Sequence, residues 1–503
     1  MVRRSRKSSK HAGAAPRSWP RRVVDAKAWV AQAEALGRGE GDLVALFGEA
    51  DRVHMAVRNT AGPQILTLAV NDGRFPSVGS RHAPAIRLER AIRDLFGHEP
   101  IGLADTRPWL DHGAWPLAAP LSKRRLAAAP RSPTEYKFLP VEGEDLHQIP
   151  VGPVHAGIIE PGHFRFTANG ETVVRLEERL GYVHKGVEWL MQGATVERAA
   201  TLVGRVSGDS TVAYAFAFAL AVETALRIEV PVRAVYLRAL MAELERIANH
   251  LGDFGAVCND ATFVLIHAHC GILREQVLQA SDAAFGHRLM RDCIVPGGVA
   301  TDISAENIRR LKALVEAIGP RFRELVTIYD DTPSLQDRTV TTGTVSGDLV
   351  RRFAAGGYVG RASARDFDVR RDLAYAPYEK FAIDVPTLQA GDVDARLRIR
   401  LLEIEASLKL VRRILEGLPR GPLRAPMRAA KDEREGVGLV EGFRGDVFVY
   451  VRLAADGTVA RCHPRDPSWF QWPLLEVAVK DNIVADFPLC NKSFNCSYSG
   501  HDL

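Results

Sequence analysis

The segment DFPLCNKSFNCSYSGHDL, residues 486–503, places Cys490, Cys496 and His501 within twelve residues. Thiolate and imidazole are the side chains that hold soft and borderline metals, so this tail first reads as a metal site. Its spacing, C-x5-C-x4-H, fits no structural-zinc pattern, and a zinc site would need a fourth ligand from elsewhere. Far upstream, GRVSGDST at 204–211 gathers Arg205, Ser207, Asp209 and Ser210 in one polar turn. The plain reading of that turn is a helix cap, with Ser210 or Thr211 starting the apolar helix that follows. HKGVEWL at 184–190 sets Glu188 among apolar neighbours. A carboxylate there either faces solvent or is partly buried and handles protons.

These residues must be carried by elements legible from periodicity. Residues 24–37 have helical spacing and stop at Gly37, MAVRNT and QILTLAV read as two strands, and RLERAIRDLFG is a helix. A Pro- and Ala-rich stretch near 115–135 reads as a linker. After it, GHFRFTANGETVVRLEERLGY is strand, Asn-Gly turn, strand. RAVYLRALMAELERIANHLGDF carries one apolar helical stripe, a second helix spans Thr262 to His287, and GVGLVEGFRGDVFVYVRLAADGTVARC returns to strands. The pattern predicts an α+β chain: a basic disordered arm at 1–23, a small α/β domain at 24–115, a linker at 116–140, and a large helical-bundle domain at 141–503 with small β-sheets at its sequence ends.

Composition bounds the function. Of 503 residues, 46% are apolar and 25% charged, a globular composition. The net charge of +5 is concentrated in the first 22 residues, which hold eight Lys or Arg; the body is close to neutral, which argues against a nucleic-acid surface. Contact of the arm with anionic lipid is the alternative to a solvated arm. The arginine pair at 3–4 is followed by no apolar segment, so export is not expected. The run TVAYAFAFALAV falls short of the ~20 residues of a spanning helix and reads as a buried one. Six cysteines without a C-x-x-C exclude a ferredoxin-type cradle in this chain. No GxGxxG or Walker loop points to NAD or ATP.

Taken in order, GPVHAGIIEPGHFRF, RLGYVHKGVEWL, RVSGDS, ALAVETALRIEVPVRAVYLRALMAELERIANHL, VPGGV, EGFRGDVFVYV and RDPSW resemble the large subunit shared by membrane-bound group 4 [NiFe] hydrogenases and the 49 kDa subunit of respiratory complex I. LERAIRDLFG is similar to the signature of the complex I 30 kDa subunit, with Glu89, Arg90, Asp94 and Gly97 matching and Ala91 departing. The fusion of the two modules resembles formate-hydrogenlyase-type and NADH-quinone oxidoreductase C/D-type chains. The resemblance implies a nickel site of four cysteines, and here the front pair falls on Ser207 and Ser210 and the rear pair on Ser497 and Gly500. A one-residue slip would restore Cys496, with Ser499 as its partner. Soft nickel needs thiolates, so no metal is expected in this chain. In the complex I branch the same cavity receives a quinone, bound by an Asp-Tyr pair and a histidine. The pair falls on Ser207-Gly208, so its tyrosine is missing; His155 and His163 remain as candidates, and Tyr214 could face the pocket or be a core aromatic. Glu188 corresponds to the hydrogenase glutamate that passes protons.

The implied function is a subunit of a membrane-associated oxidoreductase complex without a NiFe centre, taking part in quinone-pocket chemistry coupled to ion translocation. The candidate pocket comprises His155, His163, Ser207, Asp209, Ser210, Tyr214, Cys496 and Ser497, with Glu188 for proton transfer. Cofactors expected are none in this chain beyond a possible quinone, with an Fe–S cluster in a partner. Implied partners are a small Fe–S subunit, a quinone-site-like membrane subunit and antiporter-like membrane subunits, in a hetero-oligomer that is cytoplasmic and peripheral on the inner face of the cell membrane. The alternatives are a non-catalytic scaffold in an ion- or solute-transporting assembly, and an H2-active hydrogenase with atypical ligands.

Overall fold

The computed structural model describes residues 19–123, 126–127, 136–155, 159–427 and 430–503. Its first unit is a four-stranded sheet in the order Arg21–Val24, Gly62–Ala69, Arg52–Asn59, Asp42–Glu49, with the first strand parallel to its neighbour and the others antiparallel. The arm expected to be disordered through residue 23 therefore ends in a strand; residues 1–18 lie outside the described residues. Asp25 caps the helix Ala26–Gly37 through its carboxylate, and Trp29 and Leu36 point into the core.

The helix Ile86–Phe96 shows why Glu89, Arg90, Asp94 and Gly97 go together. Glu89 is buried and accepts from the Ser77 hydroxyl at 2.6 Å and the Val78 and Gly79 amides at 2.6 and 3.1 Å. Arg90 donates to the carbonyls of Arg107 and Pro108 at 2.7 and 3.2 Å. Asp94 accepts the amides of Trp109, Leu110 and Asp111. Gly97 ends the helix with φ 73°. The motif is a loop-shaping device, and its product is a buried Trp109 aimed at the second unit.

The expected hairpin forms from His163–Asn169 and Thr172–Arg179, with Leu146–Val151 as a third strand. Helices Thr211–Leu226, Val232–Asp260, Val264–Phe285, Ala305–Asp330 and Val393–Glu416 follow, and Arg434–Gly442, Gly445–Leu453 and Val459–Arg465 form an antiparallel sheet. Residues Gly208–Leu226 are long and apolar enough by composition to cross a membrane, but 78% of the span is buried inside the fold. Part of its cover is the strand Arg434–Gly442, which approaches so closely that a Cβ on Gly436 or Gly438 would collide with the carbonyls of Ala221 or Ala217.

The long helices are locked by buried charge. Arg361 lies between Glu403 and Glu441 at 2.8 and 2.9 Å, Arg370 between Asp368 and Glu243 at 2.7 and 3.0 Å, and His250 sits on Glu403 at 2.8 Å. Each carboxylate meets a cation or hydroxyl, the condition under which buried charge is tolerated.

Candidate functional site

Two segments almost 300 residues apart in sequence meet in a cavity of about 280 Å3. The front loop supplies Ser207, Gly208 and Asp209, and the tail supplies Cys496, Ser497, Tyr498 and Ser499; Arg444, Glu160 and Lys492 complete its polar wall. The tail is held there from below. Arg400 donates to Asp253 at 3.1 Å and to the Ser493 carbonyl at 2.7 Å, and Asn495 donates to the other oxygen of Asp253 at 2.8 Å. Beyond the cavity, the amides of Lys185 and Gly186 donate to the Leu503 carbonyl at 2.8 and 3.0 Å.

The centre of the site is an ion pair. Arg444 donates to both oxygens of Asp209, at 2.7 and 2.6 Å, and to the Ser210 hydroxyl at 3.2 Å. Ser207 donates to Asp209 at 2.9 Å and meets the Ser497 hydroxyl at 2.9 Å. Burial opposes ionisation of Asp209, but the Arg444 guanidinium wins and holds the carboxyl below its ordinary range. Ser497 also accepts the Gly500 amide at 2.9 Å, as the cap of the last helical turn. Gly500 is glycine for a reason visible here: a Cβ would collide with Oδ2 of Asp466, the oxygen that accepts the Tyr214 hydroxyl at 2.6 Å. Burial and then Asp466 push the Tyr214 phenol well up, so it stays a donor.

The sequence candidates therefore divide. Ser207, Asp209, Cys496 and Ser497 line one cavity, and Ser210 is tied to it through Arg444 and Asp209. Tyr214 stands behind the wall, bonded to Asp466. His155 and His163 are not among the residues lining this cavity: His155 contacts the Gly162 carbonyl at 2.8 Å, and His163 contacts the Gly152 carbonyl at 3.2 Å. Glu188 borders a different, 40 Å3 cavity beside Glu49 and Phe96. Arg461 donates to it at 3.2 Å and His463 contacts the same oxygen. Although burial would raise it, these two neighbours hold the Glu188 carboxyl at about 2, a fixed anion near neutral pH. Sequence reasoning passed over Arg444 as a functional residue; its signal is its place in the EGFRGDV turn between the strands Arg434–Gly442 and Gly445–Leu453.

The tail's three candidate ligands do not converge. Cys490 lies near Gly343 and Arg396. His501 stacks on Trp469 with ring centroids 4.0 Å apart, accepts the Trp109 indole N–H at 3.2 Å and faces Asp502 at 2.8 Å. Among the described residues no group of three or more His, Cys, Asp or Glu is placed to hold a metal. Burial pushes the Cys496 thiol well up, away from the thiolate a soft metal needs.

Two family models match this chain: nickel-dependent hydrogenase over residues 185–257, and the 49 kDa subunit of respiratory-chain NADH dehydrogenase over residues 262–502. The first contains the front loop and the second the tail. Formate hydrogenlyase subunit 5 of Escherichia coli is 30% identical over 86% of this chain and 77% of its own length. Hydrogenase-4 component G of the same organism is 31% identical over 92% of this chain and 84% of its own. A chain in the structure of the membrane-bound sulfane sulfur reductase, an archaeal respiratory membrane complex, superposes with a TM-score of 0.68 at 23% identity, covering 73% of this chain and all of that one, and so shares the fold. With the front loop and tail meeting as the sequence resemblance implied, the chain belongs to the family of group 4 hydrogenase large subunits and complex I 49 kDa subunits.

Proposed function

We propose that this chain is the large subunit of a membrane-associated oxidoreductase assembly whose cavity takes a small redox ligand, such as a quinone head group, in place of a nickel–iron centre. The observation that carries this reading is the filling of the four thiolate positions. By resemblance these fall on Ser207 and Ser210 at the front and on Ser497 and Gly500, or with a one-residue slip Cys496 and Ser499, at the rear. The Ser207, Ser210 and Ser497 hydroxyls are engaged with Asp209 and with each other, and Arg444 closes the carboxylate. A nickel–iron group does not fit this donor set: hydroxyls are not ligands for soft metal, and one buried thiol, Cys496, cannot replace four thiolates.

What the residues offer instead is hydrogen bonding to a polar, uncharged ligand. Ser207, Ser497 and Ser499 present hydroxyls, Lys492 lends positive charge, and the Arg444–Asp209 pair fixes the floor. Electrons would arrive from a small Fe–S partner subunit. The assembly would include a quinone-site-like membrane subunit and antiporter-like membrane subunits, with this chain peripheral on the inner membrane face. Family membership and the respiratory membrane complex that shares the fold support this placement.

Metal analysis of the assembly purified with its co-expressed partners tests the reading. Iron in Fe–S amounts without stoichiometric nickel is expected, together with saturable binding of a short-chain ubiquinone analogue that Ser497→Phe abolishes. Stoichiometric nickel would overturn the reading; absence of iron and of analogue binding would leave a scaffold in a transport assembly.

A further inference from the structure

A second cavity lies against the back of the first. It measures about 10 Å3, shares Asp209 with the main cavity, and is lined by Glu245, Asn249, Arg274 and Arg288 among others. That volume is close to the lower limit for a single water, and a wall this polar gives such a water several partners. Glu245 is 7% exposed. It accepts the amides of Val212 and Ala213, at 2.7 and 3.1 Å, at the start of the apolar helix. Asn249, one turn further along the helix Val232–Asp260 that carries Glu245, ties that helix to the front loop by donating to the Asp209 carbonyl at 2.8 Å.

We propose that Glu245, and not Glu188, is the carboxyl that answers charge in the cavity, taking a proton from the solvent side when the cavity gains negative charge and releasing it when that charge leaves. This rests on the redox reading above. The electron passes from the Fe–S partner, which is oxidised, to the quinone-class ligand in the cavity, which is reduced. A solvent water breaks one O–H bond, its proton forms an O–H bond on the Glu245 carboxylate and its hydroxide returns to the bulk, so one electron is matched by one proton. Glu188 cannot play this part in the geometry seen, because Arg461 and His463 fix it as an anion beside another cavity.

The groups around Glu245 set the direction of the coupling. Asp209 faces it from the front loop, Arg246 is next to it on its own helix, Arg274 lies on the helix Val264–Phe285, and Arg288, paired with Glu275 at 2.7 Å, follows that helix. Burial raises the Glu245 carboxyl to about 8 against its two amide donors, with Asp209 adding to the rise and Arg246 opposing it. Negative charge added to the cavity acts as Asp209 does.

The test is infrared pH titration of the purified full-length protein, read at the protonated carboxyl band. A band component titrating near pH 8 is expected, lost in Glu245→Gln and retained in Glu188→Gln. Asp209→Asn is expected to move its midpoint down and Arg444→Met to move it up. Glu245→Asp, which keeps a carboxyl, guards against loss of folding in the glutamine variant. A spectrum unchanged by Glu245→Gln, or a midpoint indifferent to both cavity variants, would overturn the proposal. Neither reading needs nickel, quinone or partners, so this failure is distinct from failure of the proposed function.

Discussion

Replacing Arg444 by methionine removes the cation that closes Asp209 while keeping much of the stem. The lost bonds are two to Asp209, at 2.7 and 2.6 Å, one to Ser210 at 3.2 Å and one to the Asn495 carbonyl. Breaking one partner of a fully buried pair costs roughly 3–5 kcal/mol. The Asp209 side chain keeps 35% of its surface open, so solvent screens part of the loss and roughly 2–3 kcal/mol remains. At about 2.1 cal/mol/K per residue, 503 residues melting as one unit have an unfolding entropy of about 1 kcal/mol/K, so the midpoint falls by about 2–3 °C. Scanning calorimetry near neutral pH measures it. The pH dependence has a definite sign. The Asp209 carboxyl is held low in the folded protein, so the pair contributes fully above the unfolded carboxylate range and its contribution is lost as pH falls through the folded value. The gap between wild type and variant therefore closes in acid. Adding Asp209→Asn removes the uncompensated charge and recovers part of the loss. A variant melting with wild type, or a double variant falling by the sum of the two singles, would refute the ion pair as the clamp of the site.

Three further outcomes are expected. Glu188 is held at about 2 against an ordinary 4.5, so it contributes about 3 kcal/mol above pH 4.5 that disappears as pH falls toward 2; Glu188→Gln should flatten this acid limb in a series of thermal midpoints, and an unchanged limb refutes the Arg461–His463 clamp. Gly500→Ala forces its Cβ onto Asp466 and should cost roughly 1–3 kcal/mol, partly recovered by Asp466→Ser; calorimetry that finds no cost means the tail is not seated as described. Gly438→Ala drives a methyl into the Ala217 carbonyl and should prevent the strand from seating on the helix, read as loss of soluble folded protein, whereas wild-type yield and melting would disprove the close approach.

Much of this was legible in residue patterns because period and punctuation agree. The Asn169-Gly170 turn, the Leu237–Leu240–Leu244–Leu251 stripe and the Gly97 stop each pair a local signal with a single structure. The strand Asp42–Glu49 escaped notice because its interior is continuously buried and carries no alternation. The meeting of front loop and tail was readable only through resemblance, since nothing local says that Ser207 touches Ser497. The site's decisive contact was hidden for the same reason: Arg444 and Asp209 lie 235 positions apart, and an arginine in a strand turn carries no mark of its partner. Glu188 was singled out because a lone acid among apolar residues is conspicuous. Glu245, in the charge-rich stretch ELERIANH, was not, though its burial is as deep.

The two units of the chain share an apolar seam, with Val44, Phe47 and Ile65 packed among Val437, Phe448 and Tyr450, and arginines reach across its edges. Arg461 and Arg465 donate to the carbonyls of Gly48 and Val44 at 3.0 and 2.8 Å, Arg452 meets Glu49 at 3.0 Å, and Arg87 bridges Glu178 and Glu476 at 2.9 and 2.7 Å. Between separate molecules diluted in a cell, such a joint would form only as far as their concentration allowed. Within one polypeptide the tether raises each unit's effective concentration at the other to the order of millimolar, so the joint stays closed at any dilution and its stoichiometry is fixed at synthesis. Arg461 holds Gly48 with one nitrogen and Glu188 with another. A displacement of the small sheet at Gly48 is therefore felt directly at Glu188 of the large unit, through one shared side chain.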